Sequence, residues 1–513
     1  MTDADGAEGQ TAEKPTDPAR EHTPPAGAET TGTWTGGSTP IDYRATAAWL
    51  VLRKAEKPVA EIFSVSYVAD PGDEDRPITF VFNGGPGASS AFLHLGAAGP
   101  LRVDIPADGS LPRMPPRLVQ NESSWLAFTD LVFVDPVGTG FSRVIEPKDA
   151  AIGKEPAAQK GAAGPDGKEF FTPKRDLESL AEFMGRWLSE HGRWGSPVLI
   201  AGESYGGYRV GRLVRMLQES SGIGLNGAIL ISPALELTPM SPTDYDMVGW
   251  IDTLPTMALA AAHHGRARAL PQGTAPDAVR AEAEAFATGS YATFLARGSE
   301  MPADERADVL GRLSDLLGLP PDLVTRAEGR IGFHTFAREL LRDERKVVGY
   351  YDATITGPDP FPDREAFAGP DPTLAGIGAT YTMAINRLLR SEIGVRTERE
   401  YSLLSFEVFT AWRDESEQHF FEPPTGATDD FRYGMALNPH MQALITHGRH
   451  DLVTPYFASD RLRNLMRLDP AMAGRLTVRH FEGGHMFYAW EDSRHQFADE
   501  VARFVATAIG TPA

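Results

Sequence analysis

One serine, one carboxylate and one histidine stand along this chain in settings that suit nucleophilic acyl transfer. Leu199-Ile200-Ala201-Gly202-Glu203-Ser204-Tyr205-Gly206-Gly207 runs an apolar strand into Gly-x-Ser-x-Gly, and a helical stretch, Tyr208 to Glu219, follows. Flanking glycines permit the tight strand-to-helix turn that exposes a nucleophile above a sheet. The helix start then leaves backbone N–H groups aimed at developing negative charge. A serine hydroxyl needs a base, and the base needs a carboxylate to hold its tautomer. In a strand–turn–helix framework these follow the serine as acid and then histidine, each just beyond a strand. The chain supplies Ala443-Leu444-Ile445-Thr446-His447-Gly448-Arg449-His450-Asp451, and then Leu476-Thr477-Val478-Arg479-His480-Phe481-Glu482-Gly483-Gly484-His485. Ser204, Asp451 and His485 are therefore the candidate nucleophile, orienting acid and general base.

Other residues compete for these roles. His447 and His450 sit three apart beside Asp451, a spacing that suggests metal ligation, but no third ligand stands at a recognisable interval, so no metal is expected. His263 and His264 fall in a helical stretch and read as structural. Glu482 precedes the histidine within the same loop, which favours Asp451. A second glycine-rich element, Phe82-Asn83-Gly84-Gly85-Pro86-Gly87-Ala88, follows an apolar strand. It lacks the Lys and Ser/Thr of a nucleotide loop. It can instead place a backbone N–H opposite that of Tyr205 and complete an oxyanion hole.

The elements that must position these residues are short apolar runs: Ile78–Phe82, Leu131–Val134, Val198–Ala201, Ala228–Ile231, Ala443–Ile445 and Leu476–Val478. Such runs suit strands buried on both faces. Helical patterns separate several of them; Pro173 to His191 carries Leu177, Leu180, Phe183, Met184, Trp187 and Leu188 on one face. The alternation predicts an α/β fold with a mostly parallel central sheet and helices on both faces. Ala47–Leu52 and Ile62–Val68 predict an antiparallel opening pair with a turn near Lys57-Pro58. Residues 1–40, rich in Pro, Gly, Thr and Glu, read as a disordered tail. Core segments are expected over 41–235 and 436–513. Between them, 236–435 is mainly helical in pattern, through Met257–Leu270, Ala275–Ala296, Arg306–Leu317 and Leu323–Leu341, and is expected to form a large helical cap insertion. Residues 147–167 read as a surface loop.

Composition narrows the function classes. With 49 Lys plus Arg against 70 Asp plus Glu, the 513-residue chain carries a formal charge of −21, which argues against a nucleic-acid partner. No apolar run approaches a membrane span. Cysteine is absent, which excludes a thiol nucleophile and thiolate metal sites. A polar N-terminus without a signal-peptide pattern, together with the missing cysteines, leads to an expected cytoplasmic location. Nothing calls for a cofactor, and the oligomeric state is not encoded in any pattern.

Taken in order, these motifs resemble the serine carboxypeptidase family of α/β-hydrolases. Asn83-Gly84-Gly85-Pro86-Gly87 is similar to its Asn-Gly-Gly-Pro-Gly segment, and Gly202-Glu203-Ser204-Tyr205-Gly206-Gly207 to its nucleophile elbow. Phe133 to Ser142 is similar to the segment ending in Gly-x-Gly-Phe-Ser, and Gly484-His485-Met486 to its histidine motif. The resemblance spans residues 75 to 490. It implies an α/β-hydrolase fold, a peptide substrate, and a triad of Ser204, Asp451 and His485. It also implies an oxyanion hole from the amides of Gly85 and Tyr205, and recognition of a C-terminal carboxylate by Asn83 and Glu203. A glutamic acid donates a hydrogen bond only when protonated, so acidic pH is the expected range. Two departures stand out. Ala88 replaces a cysteine that many eukaryotic members carry, and Ala97 stands where they often have a second acid. An esterase or acyltransferase using the same triad is the alternative function, and a non-catalytic binding module a more remote one.

Overall fold

The computed structural model describes residues 22–145, 167–413 and 426–510. Nine strands build most of one ten-stranded sheet: β1 (Ala28–Trp34), β2 (Ile41–Lys54), β3 (Lys57–Ala69), β4 (Ile78–Phe82), β5 (Asp130–Asp135), β6 (Val198–Glu203), β7 (Gly227–Ile231), β8 (Gln442–Gly448) and β9 (Leu476–Phe481). Their spatial order is β1-β2-β3-β5-β4-β6-β7-β8-β9, and Arg143–Val144 adds to β3. From β5 to β9 all neighbours are parallel, with Phe80 opposite Val132 and Ile200, and Ile229 opposite Ala201 and Leu444. The antiparallel start is a hairpin of β2 and β3. It turns at Ala55-Glu56, both at positive φ, rather than at Lys57-Pro58.

Strand pleating divides the central residues between two cores. Val81, Leu199, Ala201 and Ile229 face one side with Trp125 and Phe497, while Phe80, Phe82, Ile200 and Leu230 face the other with Leu180, Trp187 and Leu213. Helices α1 (Pro173–Glu190) and α2 (Tyr205–Glu219) cover the second face. The C-terminal helix Glu491–Ala508 covers the first. With both faces apolar and covered, the central strands need the continuous hydrophobic runs seen in the sequence. This is the α/β arrangement those runs predict.

The expected tail over 1–40 needs correction at its end. Ala28–Trp34 pairs with β2 along seven residues, and Trp34 is buried with its indole N–H donating to the Asn121 carbonyl at 2.7 Å. β-branched Thr30, Thr31 and Thr33 suit an edge strand better than the surrounding composition suggests. Residues 1–21 lie outside the described residues, as does the expected loop over 147–167 apart from Gly167.

The stretch 236–435 divides in packing. Helix α3 (Val248–His263) and the helices within 276–339 enclose their own core around Leu254, Met257, Phe294, Leu313 and Phe336. Helix α4 (Leu374–Arg387) instead packs Tyr381, Ala384 and Ile385 into the first sheet core. The single helix expected over Leu323–Leu341 is two, Pro321–Arg326 and Phe333–Glu339, interrupted by a turn holding Gly329 and Gly332.

Candidate active site

The turn between β6 and α2 forces Ser204 to φ 62° and ψ −123°, a backbone region costly for any residue with a Cβ. The surrounding fold holds it there: the Ser204 amide donates to the Ile231 carbonyl at 2.9 Å, while its carbonyl accepts from Gly207 and Ala234. Tyr205 opens α2, so its N–H has no intrahelical acceptor. The loop after β4 closes against this turn. A Cβ at Gly84 would collide with the backbone N of Tyr205, so only glycine lets the two glycine-rich elements meet. This brings the loop of Gly85 beside the amide of Tyr205, as an oxyanion hole requires.

Asp451 follows β8 and is fully buried. Its Oδ1 accepts the backbone N–H groups of Val453 and Thr454 at 2.8 and 3.0 Å. Its Oδ2 lies 2.6 Å from His485 Nδ1 and 2.6 Å from the Thr454 hydroxyl. With two backbone N–H groups and a hydroxyl as the other partners of Asp451, the His485 proton is assigned to Nδ1 facing Oδ2, which leaves Nε2 as acceptor. Burial alone would lower the His485 pKa. The charge and hydrogen bond of Asp451, and the charge of Glu203, outweigh burial and raise it. The His485 backbone is pinned as well: its N–H donates to the Tyr351 carbonyl at 2.5 Å, and its carbonyl accepts from the Ser232 hydroxyl at 2.8 Å. Tyr351 meets the imidazole edge-on, with centroids 5.2 Å apart.

Glu203 and Asn83 meet beside the serine. The Asn83 amide N–H₂ donates to Glu203 Oε2, and the Tyr488 hydroxyl donates to Oε1 at 2.7 Å. The Asn83 Oδ1 accepts from the Leu93 amide at 3.1 Å, which fixes which way the amide faces. Burial is the main force on Glu203 and pushes its pKa up to about 7, against the lowering effects of His485, Tyr488 and Asn83. Asn83, Gly85, Glu203, Ser204 and His485 all line one cavity of about 250 Å³. Its remaining wall is largely apolar, with Phe92, Ile355, Leu374, Ile377, Leu404 and Phe409. Among the described residues lining it there is no Lys or Arg.

Six of the seven sequence-predicted site residues thus share that cavity or contact a residue lining it, and Tyr205 adjoins it through the nucleophile turn. The competing residues lie elsewhere. His447 is buried against Ser459 at 2.8 Å, and burial, with the nearby His480 and His485, holds it neutral. Glu482 pairs with Arg449 and His450. Among the described residues no three His, Asp or Glu side chains converge as metal ligands. Ala97 is buried in a helical turn, and its carbonyl accepts from the Asn121 amide.

The structure adds residues that sequence reading missed. Thr454 touches both Asp451 and His485, at 2.6 and 3.0 Å. Its position three after an aspartate, in a turn the carboxylate caps, was a readable signal. Arg209, fully buried on α2, forms a two-pronged pair with Asp176 at 2.7 and 3.1 Å. Its other N–H group donates to the carbonyls of Asn83 and Gly84. Asp352 accepts from the Gly484 amide and the Trp490 indole, both at 2.9 Å, and so supports the histidine loop.

A family model described as serine carboxypeptidase matches residues 49–249. Pheromone-processing carboxypeptidase KEX1 of Saccharomyces cerevisiae is 46% identical over 72 residues, 14% of this chain and 9% of that protein. Serine carboxypeptidase-like 36 of Arabidopsis thaliana is 31% identical over 169 residues, 32% of this chain and 30% of that protein. The matched segments thus span less than a third of either relative's length. The crystal structure of a prohormone-processing carboxypeptidase, Kex1(delta)p from Saccharomyces cerevisiae, superposes with a TM-score of 0.51 at 15% identity, covering 90% of this chain and 91% of that one, a likeness of fold. The glycine-loop and nucleophile-turn motifs lie inside the span that the serine carboxypeptidase model matches, and the parallel sheet carries both.

Proposed function

We propose that the protein is a metal-independent serine carboxypeptidase that removes C-terminal residues from peptides. The observation that carries this reading is the buried Asn83–Glu203 pair beside Ser204, in a cavity whose described lining holds no Lys or Arg. A free α-carboxylate entering there meets an amide donor and, when Glu203 holds a proton, a carboxylic acid O–H. The last peptide carbonyl then lies within reach of Ser204. The Ser204 hydroxyl adds to that carbonyl as its proton passes to His485 Nε2, and the amides of Gly85 and Tyr205 take the oxyanion. Imidazolium next to ionised Asp451 gives the proton to the departing amine, leaving an acyl-enzyme. Water enters, His485 takes its proton, and collapse of the second tetrahedral adduct releases the shortened peptide and Ser204.

The test is mass spectrometry of one mixed-sequence peptide, its C-terminally amidated twin and the Ser204→Ala variant between pH 4 and 8. Stepwise loss of single residues from the free acid alone, abolished in the variant, is the expected result. Absence of cleavage at every pH, with a simple ester still hydrolysed, would instead support an esterase or acyltransferase. The apolar cavity wall and Ala97, in place of a second acid, are the observations that favour that reading.

A further inference from the structure

We infer that Tyr488 is a positioning residue for Glu203: its phenol holds the inner carboxylate oxygen and thereby sets the pH range over which a C-terminal carboxylate is accepted. The inference rests on the carboxypeptidase reading and adds to it a residue outside the cavity. Asn83 and Glu203 line the cavity, whereas Tyr488 does not, and its side chain is completely buried. The two oxygens of Glu203 therefore have different surroundings. Oε1 points inward and accepts from the Tyr488 hydroxyl at 2.7 Å, and Oε2 lies beside the Asn83 amide. With Oε1 occupied by a donor, the proton Glu203 needs is directed to Oε2, next to the remaining Asn83 N–H. Those two donors form the face a substrate carboxylate would meet.

Among the described residues no other side chain supplies this contact. The groups facing Glu203 are His485 and Asp451 from the loops after β9 and β8, Tyr488 from the turn Phe487–Ala489, and Tyr381 from α4. Tyr351 faces it more remotely, beside the imidazole. The Tyr381 hydroxyl is buried without a hydrogen-bond partner among the described residues, so it is not the anchor. Room for Tyr488 is built into the chain. A Cβ at Gly96 would lie 2.6 Å from the Tyr488 ring and 2.7 Å from the Tyr381 oxygen, so a side chain there would displace both phenols. A phenol differs from a carboxyl in one decisive respect: it stays neutral across the working pH range and never competes with Glu203 for a proton. Its hydrogen bond favours the ionised carboxylate, and its loss favours the acid.

The experiment compares Tyr488→Phe with the wild type between pH 5 and 9. It measures kcat/KM for a free-acid peptide and, as control, hydrolysis of an ester without a carboxylate. Removing the phenol is expected to move the alkaline limb of the free-acid profile up by about one pH unit, tenfold in the acid-to-carboxylate ratio of Glu203. Ester hydrolysis should stay within about twofold. Glu203→Gln, whose amide donates at every pH, should abolish the limb, and adding Tyr488→Phe to it should change nothing further. An unmoved limb in a folded Tyr488→Phe enzyme, or an equal effect in the Glu203→Gln background, overturns the assignment. Should Tyr488→Phe fail to fold, Gly96→Ala, which presses on the same ring, must move the limb in the same direction or the assignment falls. A wild type that trims free-acid and amidated peptides equally overturns recognition of the free carboxylate by Asn83 and Glu203, and the inference with it; a wild type that cleaves neither overturns the carboxypeptidase reading itself. A wild type that prefers the free acid, with a limb indifferent to Tyr488, overturns the inference alone.

Discussion

Arg209 offers the sharpest test of how this site is held together, because one side chain serves both the fold and the glycine loop. It is buried, pairs through two hydrogen bonds with buried Asp176, and donates to the Asn83 carbonyl at 2.6 Å and the Gly84 carbonyl at 3.3 Å. Arg209→Met leaves Asp176 without its counter-charge, a loss of about 3–5 kcal/mol, and strands two carbonyls at about 1–3 kcal/mol for the better-bonded one. Burial already raises the Asp176 pKa, with Arg209 opposing. Without Arg209 the carboxyl pKa rises further. Its stability is then complete only below the unfolded carboxyl pKa and is lost as pH rises, so the variant's deficit should grow from pH 4 to 7. The double variant Asp176→Leu/Arg209→Met removes the stranded charge and keeps only the carbonyl cost. Urea denaturation should place it within about 3 kcal/mol of the wild type. Its loop, however, no longer has its carbonyls held, so the Gly85 amide loses its aim. An oxyanion donor is worth about 10²–10³ in kcat, and a kcat about 10²-fold lower on a small activated ester is the expected result. A double variant with near-native stability and undiminished kcat would refute the idea that Arg209 aligns the oxyanion loop.

Three further expectations follow from the same geometry. Asp451→Asn keeps the acceptor facing Val453 and Thr454 but turns an N–H₂ toward His485, forcing the proton to Nε2; kcat should fall by about 10⁴ with little change in urea midpoint, and a loss below tenfold would remove Asp451 from the triad. The free-acid peptide should give a bell-shaped kcat/KM profile. His485 must lose its proton, from a raised pKa, while Glu203 must keep one, which fails above about pH 7; an uncharged ester should show the acidic limb only. Buried His94, stacked on Phe133 and 2.8 Å from the Tyr67 hydroxyl, is pushed down to about 3 by burial. Its contribution is complete above the unfolded value near 6.5 and is lost as pH falls, amounting to about 2 kcal/mol by pH 5, so His94→Gln should flatten the stability curve measured between pH 7 and 5.

Much of the fold was legible because the central strands are buried on both faces. Ile78–Phe82 and Val198–Ala201 could only be continuous apolar runs, and their boundaries were readable to within two residues. The edge strand Ala28–Trp34 was not, since a strand open to solvent on alternate residues needs few apolar positions, and its threonines sit in tail-like composition. The cap hid its division for another reason: helical periodicity marks an apolar face without saying which core receives it, and only packing sends Tyr381 to the sheet while Phe336 joins the separate cluster. The site followed the same rule. Ser204, Asp451 and His485 announce themselves by chain order and by the glycines that the backbone needs around them, whereas Asn83 and Glu203 are implied only by the resemblance of their motifs. Of their supports, Thr454 sits in the turn three residues after Asp451 and was readable, whereas Arg209 in a helix interior and Tyr488 in a second turn act on neighbours distant in sequence.

That separation has a chemical consequence for Glu203 and His485. The productive state needs a neutral imidazole and a protonated carboxyl, and the idle alternative, imidazolium beside carboxylate, carries the same net charge. Changing pH between the two apparent pKa values therefore does not shift the balance between them; only the surroundings do. Asp451 stabilises imidazolium, and Asn83 and Tyr488 stabilise carboxylate, so every support drawn here favours the idle arrangement in the free enzyme. A substrate carboxylate reverses this, because its negative charge next to Glu203 disfavours a second carboxylate and favours the acid that can donate to it. Binding of a free C-terminus would then move the proton from His485 to Glu203 and leave Nε2 free to take the Ser204 proton. A substrate without that carboxylate gives no such push. The same peptide should accordingly lose kcat as well as affinity on C-terminal amidation, and an effect confined to KM would show that the proton already resides on Glu203 before substrate arrives.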